Sequence, residues 1–246
     1  MLVNNKFIYL SLPRCASTSF LITCLRNQID LVHYNPTYDL VNNPDFSSDN
    51  EKLADDLFHG HEKLFDLKRK FGYDYPIVGI RRDRHQRFLS LWRHIIDLTS
   101  NLSHLFAPEL SQTLKKLTVS ELLSYKTEDL IPENKDNLID NLISKWGISE
   151  YINEINGANF KMMIFITINP LSYYHNNDSN IIWFNYENLN DFENWVSQIL
   201  DRPFKLEKSN SSKHYETNVT YNEEFIKKYN QIYDYFDMPK NTKSMI

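Results

Sequence analysis

The sequence predicts an α/β protein built on a central parallel sheet flanked by helices, and three observations carry that reading. Short, nearly continuous apolar runs such as Lys6–Leu12 (KFIYLSL) and Pro76–Ile80 have the length and content of buried parallel strands. Each leads within a few residues into an amphipathic stretch: Ser17–Gln28 carries Phe20, Leu21, Cys24, Leu25 and Gln28 at helical spacing. No internal repeat, Gly/Ser linker or low-complexity block divides the 246 residues, so residues 1–246 are expected to form a single domain.

Taken in order, strands are expected at Lys6–Leu12, more weakly at Asp55–His59, then at Pro76–Ile80, Lys161–Ile168 and Ile181–Asn185. Helices are expected at Ser17–Gln28, Glu62–Phe71, Arg84–Leu98, Val119–Tyr125, Asn134–Trp146, Asn190–Leu200 and Asn222–Phe236. Strands alternating with helices imply βαβ units. The polar stretch Asn35–Asn50 reads as a surface excursion, and Thr99–Gly157 as a helical insertion.

Composition narrows the function classes. A formal charge of −5 argues against a general nucleic-acid binder. No apolar segment reaches 18 residues, and a first strand near Lys6 leaves no room upstream for a signal peptide or membrane anchor, so a cytoplasmic location is expected. Cys15 and Cys24 lie nine residues apart across one loop–helix unit, beyond the ~5.5 Å Cα spacing of a disulfide, and are expected to be free thiols. Without a C-x-x-C pattern they give no zinc site, and Cys15 reads as a small packing residue.

Loops leaving the carboxyl ends of parallel strands converge on one edge of a sheet, where ligands bind. Three such junctions carry chemistry. The first, Leu12-Pro13-Arg14-Cys15-Ala16-Ser17-Thr18-Ser19-Phe20, brings a helix start, three hydroxyls and one guanidinium together, a setting that suits phosphate or sulfate. It has no glycine and no G-x-x-x-x-G-K-[ST] pattern, which disfavours an ordinary NTPase. The plain alternative is a helix capped by Ser17 beside an exposed arginine.

The second junction is Phe58-His59-Gly60-His61-Glu62. Its histidines are two apart and share a face of a strand end, H-x-H without a third ligand is a weak zinc signal, and His61 or Glu62 can serve as base for a hydroxyl nucleophile. In the third, Arg81-Arg82-Asp83-Arg84-His85-Gln86-Arg87-Phe88-Leu89-Ser90, Arg82 ends the strand and Ser90 is two turns into the helix, with Arg87 between them. Here the alternative is a solvated basic face. Two anion-ready junctions on neighbouring strands suit a ligand with two separated anionic groups.

In this order and spacing the three junctions resemble the PAPS-dependent sulfotransferases, most closely the polysaccharide branch that includes heparan sulfate uronosyl 2-O-sulfotransferase. The similarity covers mainly Lys6 to His94; Trp183-Phe184-Asn185-Tyr186-Glu187-Asn188-Leu189 resembles the late strand and turn of the family, and Ser211-Ser212-Lys213-His214 loosely its C-terminal cofactor loop. The resemblance implies a P-loop-kinase-like sulfotransferase fold. It implies that Arg14, Cys15, Ala16, Ser17, Thr18 and Ser19 bind the 5′-phosphosulfate of the donor PAPS, and that Arg82 and Ser90 bind its 3′-phosphate. It further implies His61 as catalytic base with His59 in support, a hydroxyl-bearing acceptor such as a glycan or small molecule, PAP as product, and no metal.

The chain departs from that pattern in three places. Arginine stands at position 14 where the 2-O branch has lysine, Arg84 replaces the proline after Arg-Asp, and the 99–157 stretch does not match the acceptor-selecting insertion. The runner-up reading is a nucleotide or small-molecule kinase, for which Asp83 is the nearby magnesium-binding candidate. A binding module without activity is the third. Tyr173, Tyr174, Trp146 and Trp92 are candidates for stacking on a sugar, or else core residues.

Overall fold

The computed structural model describes residues 1–32, 63–102, 105–124, 135–152, 157–168, 171–175, 180–207 and 217–237. The elements run β1 (Leu2–Val3), β2 (Phe7–Leu10), α1 (Ser17–Arg26), β3 (Leu31–Val32), α2 (Leu64–Phe71), β4 (Ile77–Arg81), α3 (Arg84–Asn101), α4 (Pro108–Lys116), α5 (Val119–Leu122), α6 (Lys135–Lys145), α7 (Gly157–Ile168), α8 (Ser172–His175), β5 (Ile181–Asn185), α9 (Leu189–Leu200) and α10 (Glu223–Asp237). The chain divides into two compact units, residues 1–83 with 171–211 and residues 84–170 with 212–246. The expected strand Asp55–His59 and the excursion Asn35–Asn50 lie outside the described residues.

The first unit is an α/β layer structure. Its five-stranded sheet has the order β3-β1-β2-β4-β5. β2, β4 and β5 are parallel, with Leu10 opposite Gly79 and Gly79 opposite Trp183. The expectation of a wholly parallel sheet is corrected: β1 pairs antiparallel with both β2 and β3, so the sheet is mixed. The β1–β2 hairpin turns on Asn4 and Asn5 (φ 46° and 50°), closed by Lys6 N–H to the Val3 carbonyl at 2.8 Å. Val3 pairs with Phe7, so Asn4, Asn5 and Lys6 form the connection, and asparagine tolerates the left-handed geometry of its turn.

Alternation sorts the side chains of the sheet. Phe7 and Tyr9 meet α1 and α9: Tyr9 stacks on Phe20 at 4.0 Å, Phe20 meets Phe192 edge-on at 5.6 Å, and Phe7 meets Trp195 at 5.0 Å. The opposite face carries α8, whose His175 ring lies 5.0 Å from Trp183, and α2, which packs on α8. α1 ends in a Schellman motif, with Gln28 at φ 52°, its N–H bonded to the Leu25 carbonyl, and Ile29 N–H bonded to that of Cys24. Both cysteines are free and buried, and burial pushes the Cys24 thiol well above its usual range.

The second unit is helical in all its described elements. α3 packs on α4 and α7, α6 on α7, and α10 on α5. α5 opens with a capping box, in which Glu121 N–H donates to Thr118 Oγ1 while Thr118 N–H donates to the Glu121 carboxylate. These bonds hold the Glu121 carboxyl below the usual carboxylate range. Residues 161–168 are the α7 helix and not the expected strand. A short apolar run has no period to distinguish the two states, and α7, apolar from Met162 through Ile166, buries Phe160, Ile164, Ile166 and Ile168 in this unit's core.

Candidate functional site

β2 and β4 are adjacent and parallel, about 4.8 Å apart, so their carboxyl ends open side by side on one edge of the first unit. The two exits differ in construction.

The exit from β2 is a strained backbone. Cys15 N–H bonds back to the Leu12 carbonyl at 3.2 Å, closing a turn with Pro13 second and Arg14 third. Arg14 takes φ 59°, the left-handed geometry that this third position of a type II turn demands and that glycine or asparagine usually fills. Ala16 is left-handed too, at φ 62° and ψ 13°. Holding two such residues costs roughly 1–2 kcal/mol each. The cost is met by anchors on either side: Leu12 and Cys15 are fully buried, and Tyr9 Oη donates to the Cys15 carbonyl at 3.4 Å. Burial raises the Tyr9 phenol well above its ordinary pKa.

This geometry decides what the loop presents. Left-handed residues flank Cys15, whose own N–H is taken by the Leu12 carbonyl, so the N–H groups the loop offers are those at the start of α1. The alternative of a Ser17 cap does not hold: the cap residue is Ala16, whose methyl group cannot accept a bond. The first intrahelical bond is Phe20 N–H to the Ala16 carbonyl at 2.9 Å, so the N–H groups of Ser17, Thr18 and Ser19 all precede it. α1 has no acidic residue in its first turn to compete for the positive end of its dipole.

The exit from β4 is shaped by side chains. Arg81 Nε donates to Asn185 Oδ1 at 3.0 Å, and the Arg82 guanidinium lies 4.4 Å from the Tyr186 ring centroid. Asp83 N–H reaches Glu187 Oε1 at 3.5 Å. The end of β5 and the turn after it thus brace this junction. Tyr186 is a functional candidate to which sequence reasoning gave no role; the signal available was an aromatic ending a strand in parallel register with the arginines.

The structure brings Arg14, Cys15, Ala16, Ser17, Thr18 and Ser19 to the same sheet edge as Arg82. Ser90 is a buried residue of α3 in the second unit, and Arg82 belongs to the first. The idea of Arg87 as part of a solvated basic face is corrected. Its side chain is fully buried and donates to the Ile166 carbonyl at 3.1 Å, a structural role inside the helical unit. His59, His61 and Glu62 lie outside the described residues, as do Ser211–His214; α2 begins just after the histidine junction, its Leu64 and Leu67 buried in the core of the first unit. Trp92, Trp146 and Tyr174 are core residues, and the side chain of Tyr173 is outside the described set. No helix among the described residues is long and apolar enough to cross a membrane.

No family model matches the chain, and neither a curated protein nor a solved structure matches it.

Proposed function

We propose that the chain is a PAPS-dependent sulfotransferase acting on an acceptor hydroxyl. One observation carries the reading: two adjacent parallel strands deliver, at a single edge, a cup of backbone N–H groups with a guanidinium and, beside it, a second arginine braced on an aromatic ring. A donor with a 5′-phosphosulfate and a separate 3′-phosphate is an anion of that form. The strained, uncapped start of α1 fits the phosphosulfate anhydride end, and Arg82 fits the 3′-phosphate monoester.

When bound, PAPS supplies the sulfuryl group: a bond forms from the acceptor oxygen to sulfur as the bond from sulfur to the 5′-phosphate oxygen breaks. The chain does the rest. His61 takes the hydroxyl proton, with His59 in support, as the family resemblance implies. Arg14 and the N–H groups of Ser17 and Thr18 stabilise the charge that develops on the departing phosphate oxygen, and Arg14 does so as a fixed cation and not as a proton donor.

The test is titration calorimetry with PAP on the full chain. Wild type binds, and Arg82→Ala binds on the order of 10–100-fold more weakly, the worth of one charged hydrogen-bond pair. Failure of wild type to bind PAP, or magnesium-dependent ATP turnover in its place, overturns the reading in favour of a kinase. His61→Ala is expected to keep PAP affinity and lose transfer; the opposite pattern with Glu62→Ala moves the base to Glu62.

A further inference from the structure

Tyr9 stands on β2 with its ring stacked on Phe20 at 4.0 Å and no exposure to solvent. Stacking needs only the ring, which a phenylalanine would also supply, so the hydroxyl is the part without a packing reason. Burying a phenol O–H is unfavourable unless it finds an acceptor, and the one this hydroxyl has among the described residues is the Cys15 carbonyl, at 3.4 Å. Burial also raises the Tyr9 pKa, so the group is a donor at neutral pH.

The bond fixes one peptide plane. In a trans peptide the carbonyl and the N–H point opposite ways. With the Cys15 carbonyl drawn inward to Tyr9, the N–H of Ala16 points away from the core, and it has no hydrogen-bond partner among the described residues. Ala16 is left-handed and Ser17 begins α1, the backbone pattern that gathers successive N–H groups, here those of Ala16, Ser17 and Thr18, around one anion. The same plane has a second orientation. Turning it over about ψ of Cys15 and φ of Ala16 carries Ala16 to negative φ, where an alanine is unstrained, and aims the Cys15 carbonyl at the anion position. Strain at Ala16 favours that turn, and the Tyr9 bond opposes it.

We propose that Tyr9 is a positioning residue: its hydroxyl latches the Cys15–Ala16 peptide in the orientation that offers an N–H to the phosphosulfate end of the donor, and without it the loop relaxes to one that offers a carbonyl instead. The donor role rests on the sulfotransferase reading above, whereas the latch rests on the geometry of Tyr9, Cys15 and Ala16 alone. Tyr9 is fully buried, so it acts through Ala16 and not by contact with the ligand.

The experiment compares the full chain as wild type, as Tyr9→Phe and as the double variant Tyr9→Phe with Ala16→Gly, by titration with PAP and by crystal structure. Tyr9→Phe keeps the ring stack and is expected to melt within a few degrees of wild type, to show Ala16 at negative φ, and to bind PAP about tenfold more weakly. Glycine takes a left-handed φ without strain, so the double variant is expected to return position 16 to positive φ and to regain at least about threefold of the lost affinity. A packing defect at Tyr9 would not respond to a change at position 16, which separates the latch from a structural role. Failure of Tyr9→Phe to fold, an unchanged PAP affinity, Ala16 still at positive φ, or no recovery in the double variant overturns the proposal. If wild type binds no PAP, the sulfotransferase reading fails and the donor role with it, while the sign of φ at Ala16 in Tyr9→Phe still decides the latch.

Discussion

The exits of β2 and β4 leave neighbouring strands at the same edge, yet one owes its shape to main-chain conformation and the other to side-chain partners. At the first, Arg14 and Ala16 are held left-handed by buried neighbours, and the groups offered are amides. At the second, the backbone passes directly from Arg81 into α3 at Arg84, while Asn185, Tyr186 and Glu187 orient what is offered. Under the proposed sulfotransferase reading, the difference matches two tasks. Charge that appears only during bond breaking is best met by fixed dipoles that need no reorganisation. A permanent charge on a resting ligand is met well by an arginine, whose fork also sets orientation.

This contrast can be broken by substitution. The largest expected effect is on turnover: Arg14→Ala keeps the fold and lowers sulfate transfer about 10²–10³-fold with little change in PAP affinity, measured in single-turnover assays. A fall in PAP affinity of the same size would erase the distinction between the junctions. Next, Gly79→Ala drives a methyl into the Trp183 ring and costs about 1–3 kcal/mol of stability by denaturant unfolding. Tyr186→Leu removes the ring under Arg82 and weakens PAP by about 0.5–2 kcal/mol in titration, leaving the transfer rate of the bound complex unchanged.

Smaller effects sharpen the picture of stored strain. Ala16→Gly relieves a left-handed alanine and raises stability by about 1 kcal/mol, read as an upward shift in Tm; no gain would show that Ala16 is not strained. The last concerns pH. Burial raises the pKa of Cys24 and Tyr9 in the folded chain, so at alkaline pH the unfolded chain has lost protons that the folded one retains. Their contribution is complete below the unfolded thiol pKa and declines as pH climbs past it, and Cys24 alone removes about 0.8 kcal/mol by pH 9. Cys24→Ala flattens that decline in a melting series from pH 7 to 10.

The parts legible in the sequence were those in which local pattern and tertiary role agree. β2 and β4 are apolar runs because both faces of the sheet are covered, and α1, α3 and α9 show their buried stripes as helical spacing. β1 and β3 escaped because two residues carry no period, and their pairing is fixed by the Asn4-Asn5 turn. Pro108–Lys116 escaped as a short helix that buries only Leu110, Ser111 and Leu114. Within the site, the residue types at the first junction were readable but the backbone was not, since neither arginine nor alanine announces a positive φ. Arg87 misled for the converse reason: a charge in a basic run looks solvated until its buried carbonyl partner is seen.

Cys15 sits between the two strained residues, and its side chain has no exposure at all. A thiol in a strained loop beside an arginine would ordinarily invite alkylation or sulfenic acid formation, but reagents and peroxide require access. The loop therefore needs no reductant to persist, and Cys15 and Cys24, the chain's two cysteines, stay silent toward Ellman's reagent until the chain opens, which makes thiol release a direct clock for global unfolding.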